Sequence, residues 1–248
     1  ERRHFSGGEV AGKFAGKFDG DRDGKPGGKF KVGACSHSHM AVFSFHPVKA
    51  ITTGEGGAVL TNDEEYYDKL KAFRQHGIIR PPDNSHGEWY YEMQMLGYNY
   101  IMTDFQAALG ISQLKRLDGF IARRREIVKR YNEAFDEYNP YFDVPVTRAY
   151  VSSAWHLYPI RLKDACLQIK SEIFSRLRTQ GVGVQVHYIP VYRHPYYRSL
   201  GYKDGLCPVS EDFYRREISF PLYPAMGDGD VERVIEGVTQ VFESLHAV

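Results

Sequence analysis

From residue 41 to the C-terminus, short apolar runs of strand character alternate with longer stretches whose apolar residues recur every three or four positions. This alternation restricts the fold more than any other feature. A strand buries a face and a helix buries a stripe, and each needs a partner surface, so the order implies α/β or α+β layers. Residues 41–45 and 57–61 read as strands. Thr61 with Glu64, or Asn62 with Glu65, has capping-box spacing, and a helix is expected from there to about His76, with Gly77 as its stop. Residues 78–102 are rich in Pro, Gly and aromatics and read as loop. Thr103 with Gln106 repeats the capping-box spacing and opens a helix through Leu117. Asp118 is expected to cap a third helix carrying Ile121, Ile127, Val128, Tyr131 and Phe135 on one face. Residues 155–162 are strand-like, 171–180 helical up to Gly181, and 182–189 alternating. A last helix begins near Asp230 and carries Val231, Val234, Ile235, Val238, Val241, Phe242 and Leu245 at helical spacing.

The first 33 residues differ. Nine of the 24 glycines fall there, Gly-Lys-Phe occurs three times, and apolar residues show no period. Residues 1–31 therefore read as an irregular segment. A chain of 248 residues accommodates one large domain or two modest ones. The sequence is divided here at 32–120 and 121–248, with the junction at the long helix.

Charge and cysteine content remove several function classes. Lys and Arg number 32 against 31 Asp and Glu, a net +1, which gives no global attraction to nucleic acid or anionic lipid. No apolar run reaches the ~18–20 residues of a membrane span, and no apolar stretch follows Glu1-Arg2-Arg3 as a signal peptide requires. Cys35, Cys166 and Cys207 are far apart and odd in number, which favours a reducing, cytoplasmic setting.

Three clusters have a bland reading that outweighs the functional one. Asp19, Asp21 and Asp23 with Gly24 match the start of a calcium loop, but the twelfth position is Phe30 in place of a bidentate acid. Cys35, His37 and His39 lack the second ligand pair that zinc needs, so no metal is expected. Arg123, Arg124, Arg125, Lys129 and Arg130, diluted by Glu126 and Glu133, read as a solvated helix face.

The stretch 42–57, Val-Phe-Ser-Phe-His-Pro-Val-Lys-Ala-Ile-Thr-Thr-Gly-Glu-Gly-Gly, carries chemistry. It sets Lys49 between two strands, after Pro47 and ahead of glycines that let backbone approach a ligand. A lysine shielded from water at a strand end can act as a neutral nucleophile toward a carbonyl. By itself that pattern remains compatible with a surface charge.

The same stretch resembles the cofactor-lysine segment of the DegT/DnrJ/StrS sugar aminotransferases. The resemblance continues in Leu96-Gly-Tyr-Asn-Tyr100 with Gln106-Ala-Ala-Leu-Gly110, in Trp155-His-Leu-Tyr-Pro159, and in Val186-His-Tyr-Ile-Pro190 with Pro195-Tyr-Tyr-Arg198. It covers roughly residues 32–245, in four ordered blocks. It implies the α/β aspartate-aminotransferase-like fold (fold type I): a large domain, here N-terminally incomplete, and a smaller C-terminal α/β domain. It implies pyridoxal 5′-phosphate, held by Lys49 at its aldehyde carbon and by Ser44 at its phosphate. Asn99 matches an asparagine that reaches the phosphate from a neighbouring subunit, which implies a homodimer. His187 and Tyr188 match a segment lining the sugar-nucleotide pocket, and a satisfied histidine at a strand end is an equal reading of them. The implied reaction moves an amino group from glutamate to a nucleotide-linked 4-keto-6-deoxy sugar. Relatives with histidine at the Lys49 position dehydrate instead.

Two departures stand out. Ile101 occupies a position where the family usually has arginine, which removes any ion pair there. The family's phosphate turn, ring-covering aromatic and pyridinium-pairing aspartate precede the lysine segment. Nothing in residues 1–31 matches them, and neither Asp19 nor Asp21 sits in the required strand context. The alternative to an aminotransferase is thus a truncated, inactive family fragment that serves only for binding or dimerisation.

Overall fold

The computed structural model describes residues 30–80 and 86–246. The irregular segment 1–31 and the calcium-like run from Asp19 fall outside these residues, apart from Phe30 and Lys31. The chain divides into two compact units between Lys115 and Arg116, a few residues before the division drawn from the sequence.

In the first unit, β1 (Ala41–Ser44) and β2 (Gly57–Leu60) pair antiparallel, with Val42 opposite Val59 and Ser44 opposite Gly57. Burial alternates along both strands, with Phe43, Ala58 and Leu60 partly covered and Val42 and Val59 exposed. α1 (Glu64–Phe73) follows. Its cap is Asp63, whose carboxylate accepts the Tyr66 N–H at 3.0 Å, and not Thr61 or Asn62. The Thr61 hydroxyl donates to the His39 carbonyl, and the Asn62 amide donates to that of Ala34, so both are spent on the loop before β1. α1 also ends three residues earlier than expected. Gly77, at φ +69°, donates back to the Ala72 carbonyl, and a Cβ there would lie 1.7 Å from the Met95 carbonyl oxygen. The expected loop 78–102 contains a short antiparallel pair, β3 (Ile78–Ile79) with β4 (Glu92–Met93). α2 (Asp104–Leu114) opens on the expected Thr103/Gln106 capping box, complete in both directions.

The second unit holds the main core. α3 (Leu117–Phe135) starts without a side-chain cap, and Asp118 lies inside its first turn. It presents Ile127, Val128, Tyr131 and Phe135 to an antiparallel sheet of β5 (Phe142–Asp143), β6 (Tyr158–Leu162) and β7 (Glu217–Phe220), in the order β5-β6-β7. α4 (Lys170–Thr179) and α7 (Asp228–His246) complete the layer, with Ile173, Leu177, Val231, Val238 and Phe242 buried. Rings pack edge-on or tilted through this core, Phe142 and Phe242 at 4.8 Å between centroids. Two short helices, α5 (Pro195–Ser199) and α6 (Pro208–Arg216), each open on a proline.

Residues 182–189 do not form a strand. Val182 and Val184 are buried as the alternation requires, but only Gln185 pairs with the sheet, through Ser219. The basic run on α3 is not a solvated face either. Arg124 is buried and donates to the carbonyls of Trp155, His156 and Leu222 at 2.7–3.2 Å, and burial lowers its pKa. Arg123 and Arg130 pair with Asp228 at the start of α7, so these cations tie α3 to α7.

Candidate active site

Lys49 and Ser44 lie in the first unit, at the end of β1 and in the turn after it. β1 stops because Phe45 turns its hydrogen bonds inward: its N–H donates to Gly56, and its carbonyl accepts from the Thr53 N–H at 3.0 Å and the Thr52 hydroxyl. The eleven residues between Phe45 and Gly57 form a closed loop, with Thr53 buried and its hydroxyl donating to the Glu55 carbonyl at 2.7 Å. Pro47 helps set a tight turn in which the Lys49 N–H donates to His46 at 2.9 Å. α2 braces the loop from outside: the Gln106 amide donates to Glu55, and Gly110 lets the helix approach so closely that a Cβ would meet a Thr53 methyl at 2.9 Å.

This framework leaves the two side chains chemically free. The Ser44 oxygen accepts the His46 N–H at 3.3 Å, so its own proton remains available to a ligand. The Lys49 side chain is half-buried, and its amine has no hydrogen-bond or ion-pair partner among the described residues.

Asn99 also belongs to the first unit. Its backbone bridges Gln75, and the flanking Tyr98 and Tyr100 N–H groups donate to the end of α1. Its side chain is exposed and bonds neither Ser44 nor Lys49. The rings of Tyr98 and Tyr100 stack beside it at 5.0 Å. Cys35, His37 and His39 do not converge, and no metal-holding cluster exists among the described residues. The Cys35 thiol donates to the Leu60 carbonyl instead.

His187 and Tyr188 are exposed on the second unit and joined by a cis peptide. The Tyr188 ring lies 5.7 Å from that of His194. Sequence reasoning missed what stands behind His187. Glu217 is completely buried, and its carboxylate accepts the His187 N–H at 2.6 Å and the Ser219 hydroxyl. The His187 Nδ1 lies 2.9 Å from the Ser219 oxygen. Burial raises the Glu217 pKa, against those hydrogen bonds and the nearby Lys170 charge. A glutamate and a serine alternating with Ile218 and Phe220 in an otherwise apolar strand was the available signal.

The family model for the DegT/DnrJ/EryC1/StrS aminotransferases matches residues 25–239. The chain belongs to this family. The UDP-4-amino-4,6-dideoxy-N-acetyl-beta-L-altrosamine transaminase of Campylobacter jejuni is 40% identical over 215 residues, covering 87% of this chain and 55% of the relative. The spore coat polysaccharide biosynthesis protein SpsC of Bacillus subtilis is 42% identical, covering 80% and 52%. Among solved structures, PseC of Helicobacter pylori, an aminotransferase in the biosynthesis of pseudoaminic acid, superposes with a TM-score of 0.76 at 36% identity, covering 84% and 54%. Spr1654 of Streptococcus pneumoniae, solved in its PMP-form, gives 0.78 at 31%, covering 86% and 55%. The fold is accordingly the fold type I α/β architecture of these enzymes. The chain spans about half the length of the curated relatives it matches.

Proposed function

We propose that this chain carries the lysine-bearing part of an aminotransferase that uses pyridoxal 5′-phosphate to move an amino group from glutamate to a nucleotide-linked 4-keto-6-deoxy sugar. The observation that carries the proposal is the pairing of an unpartnered Lys49 amine with a Ser44 hydroxyl whose proton is unspent, both fixed by one closed loop. These residues fit two parts of the cofactor: an amine for its aldehyde carbon and a hydroxyl donor for a phosphate oxygen. When bound, pyridoxal phosphate supplies the electron sink that lets a proton leave the substrate carbon next to nitrogen. Lys49 would hold the group at its aldehyde carbon, and its amine would take and return the proton at the substrate carbon. Ser44 holds the phosphate end and so fixes where Lys49 acts. His187 and Tyr188 contribute to the sugar-nucleotide pocket.

In this reading residues 32–120 are the C-terminal part of the cofactor-binding domain, and 121–248 are the small domain. Asn99 reaches the phosphate of a second subunit in a homodimer, its exposed amide being free to meet another chain, and the enzyme works in the cytoplasm. The substrate is of the class taken by the altrosamine transaminase that is 40% identical. No helix among the described residues is long and apolar enough to cross a membrane.

A second reading, a family fragment active only in binding or dimerisation, is favoured by apolar side chains left in solvent near the lysine loop: Phe105 is 90% exposed and Val42 77%. One experiment separates the two. The purified chain is mixed with pyridoxal phosphate and reduced with borohydride. A yellow absorbance band and an adduct mapped to Lys49 support the aminotransferase. A colourless protein with no adduct supports the fragment. Lys49→Ala removes band and adduct with an unchanged circular dichroism spectrum. Ser44→Ala keeps the adduct but weakens cofactor binding by about tenfold or more, the worth of one hydrogen bond to a charged group.

A further inference from the structure

We infer that Glu217 and Ser219 are positioning residues that hold His187 in one tautomer and turn its Nε2 outward as a hydrogen-bond acceptor. The argument is an accounting of protons. Glu217 is completely buried at the start of β7, and both its oxygens already accept: Oε2 from the His187 N–H at 2.6 Å, Oε1 from the Ser219 hydroxyl. An ionised carboxylate can only accept; burial disfavours that form, and the hydrogen bonds from Ser219 and His187 and the nearby Lys170 amine, which donates to the Tyr214 carbonyl, favour it. A serine has one hydroxyl proton. Spent on Glu217, it leaves Ser219 with lone pairs alone toward the His187 Nδ1 at 2.9 Å. Nδ1 must then supply the proton of that contact, so Nε2 keeps its lone pair.

The backbone gives the relay its fixed geometry. Gln185 and Ser219 exchange both N–H···O bonds, at 3.2 and 2.7 Å, which ties the segment before His187 to β7. Two residues on, the His187 N–H meets Glu217. The ring is therefore anchored at its backbone and at Nδ1, while its exposed residue leaves Nε2 without a partner among the described residues. A histidine presenting a bare acceptor suits a hydroxyl or ammonium donor on a ligand and disfavours a phosphate oxygen. Taken with the proposed function, on which this consequence rests, Nε2 is matched to a sugar hydroxyl and not to the diphosphate of a nucleotide sugar.

The tautomer itself is measurable without cofactor or substrate, so its failure is distinct from failure of the aminotransferase reading, which the Lys49 adduct tests. Nitrogen-15 correlation spectra of the chain, recorded at alkaline pH where an imidazole is neutral, separate the two tautomers by the shifts of Nδ1 and Nε2. His187→Ala identifies the signal by its loss. The wild-type ring is expected as Nδ1–H. Glu217→Gln turns an amide donor toward Ser219, frees the hydroxyl to donate to Nδ1, and switches the ring to Nε2–H. Ser219→Ala, which removes the relay without altering the buried carboxyl, moves it toward Nε2–H as well. A wild-type ring found as Nε2–H, or an Nδ1–H ring that persists in a folded Ser219→Ala variant, would overturn the inference.

Discussion

In the second unit, α3, α4 and α7 close over β5–β7 and leave Tyr131, Tyr158, Phe142 and Phe242 with almost no solvent contact. In the first, α2 buries none of its residues, and the buried apolar side chains are limited to a few, such as Phe45, Ile51 and Ala72. The second unit is a finished layer that contains the partners of its own apolar stripes. The first sets a hydrogen-bonded loop on a two-stranded ribbon, with α1, α2 and the β3–β4 pair, and leaves apolar side chains such as Phe105 and Val42 in solvent. The contrast teaches that the lysine loop takes its shape locally, from Phe45, Thr53 and Gln106, with little apolar burial inside its own unit.

Two substitutions test this contrast. The largest effect is expected in the second unit. Phe242→Ala removes a completely buried ring from the aromatic cluster and should cost about 3–5 kcal/mol. Denaturant unfolding followed by Trp155 fluorescence in a Trp89→Phe background reads this unit alone, since Trp155 packs against the same core. Phe105→Ala, the same chemical change on α2, should stay within about 0.5 kcal/mol. Equal losses at the two sites would break the comparison.

A smaller, local effect is expected at Gly77. Alanine there must tolerate φ +69° and displace the Met95 carbonyl, a cost on the order of 1–3 kcal/mol. Amide exchange at Tyr98 and Tyr100, whose N–H groups hold the Asn99 segment to α1, should quicken by about tenfold or more while the core amides of β6 stay protected. The least effect is a pH dependence. Arg216 and Arg215 hold the Asp212 carboxyl down at about 2, below its ordinary 3.8. A depressed acid stabilises the fold above its unfolded pKa, and that stability is lost as the pH falls through the folded value. The acid limb between pH 4 and about 2 should therefore be shallower in Asp212→Asn, by a small margin because the pair is partly in water.

Much of the local structure was legible in the residues. The Thr103/Gln106 box, the two strands around Lys49 and the stripe on the last helix all follow from short-range rules of capping and period, which act within a few residues. The turn around Lys49 stood out locally, because Pro47 and glycines crowd it, whereas Ser44 was singled out through the family resemblance. What escaped were features decided across long separations. Asp63 caps α1 because Thr61 and Asn62 are drawn to the carbonyls of His39 and Ala34. Arg124 is buried because three carbonyls from residues 155, 156 and 222 converge on it. Residues 182–189 alternate like a strand yet pair with β7 only at Gln185, and two residues on the His187 N–H turns to the Glu217 carboxylate instead of a ladder carbonyl.

The sequence by itself determined the elements, their apolar faces and the lysine turn, since each is set by the bonding options of neighbouring residues. Only the tertiary structure decided which polar groups end up together. Glu217 and Ser219 lie some thirty residues from His187 along the chain, and nothing local joins them. They meet because β7 is buried on both faces, and a carboxylate held away from water must find donors wherever the fold supplies them.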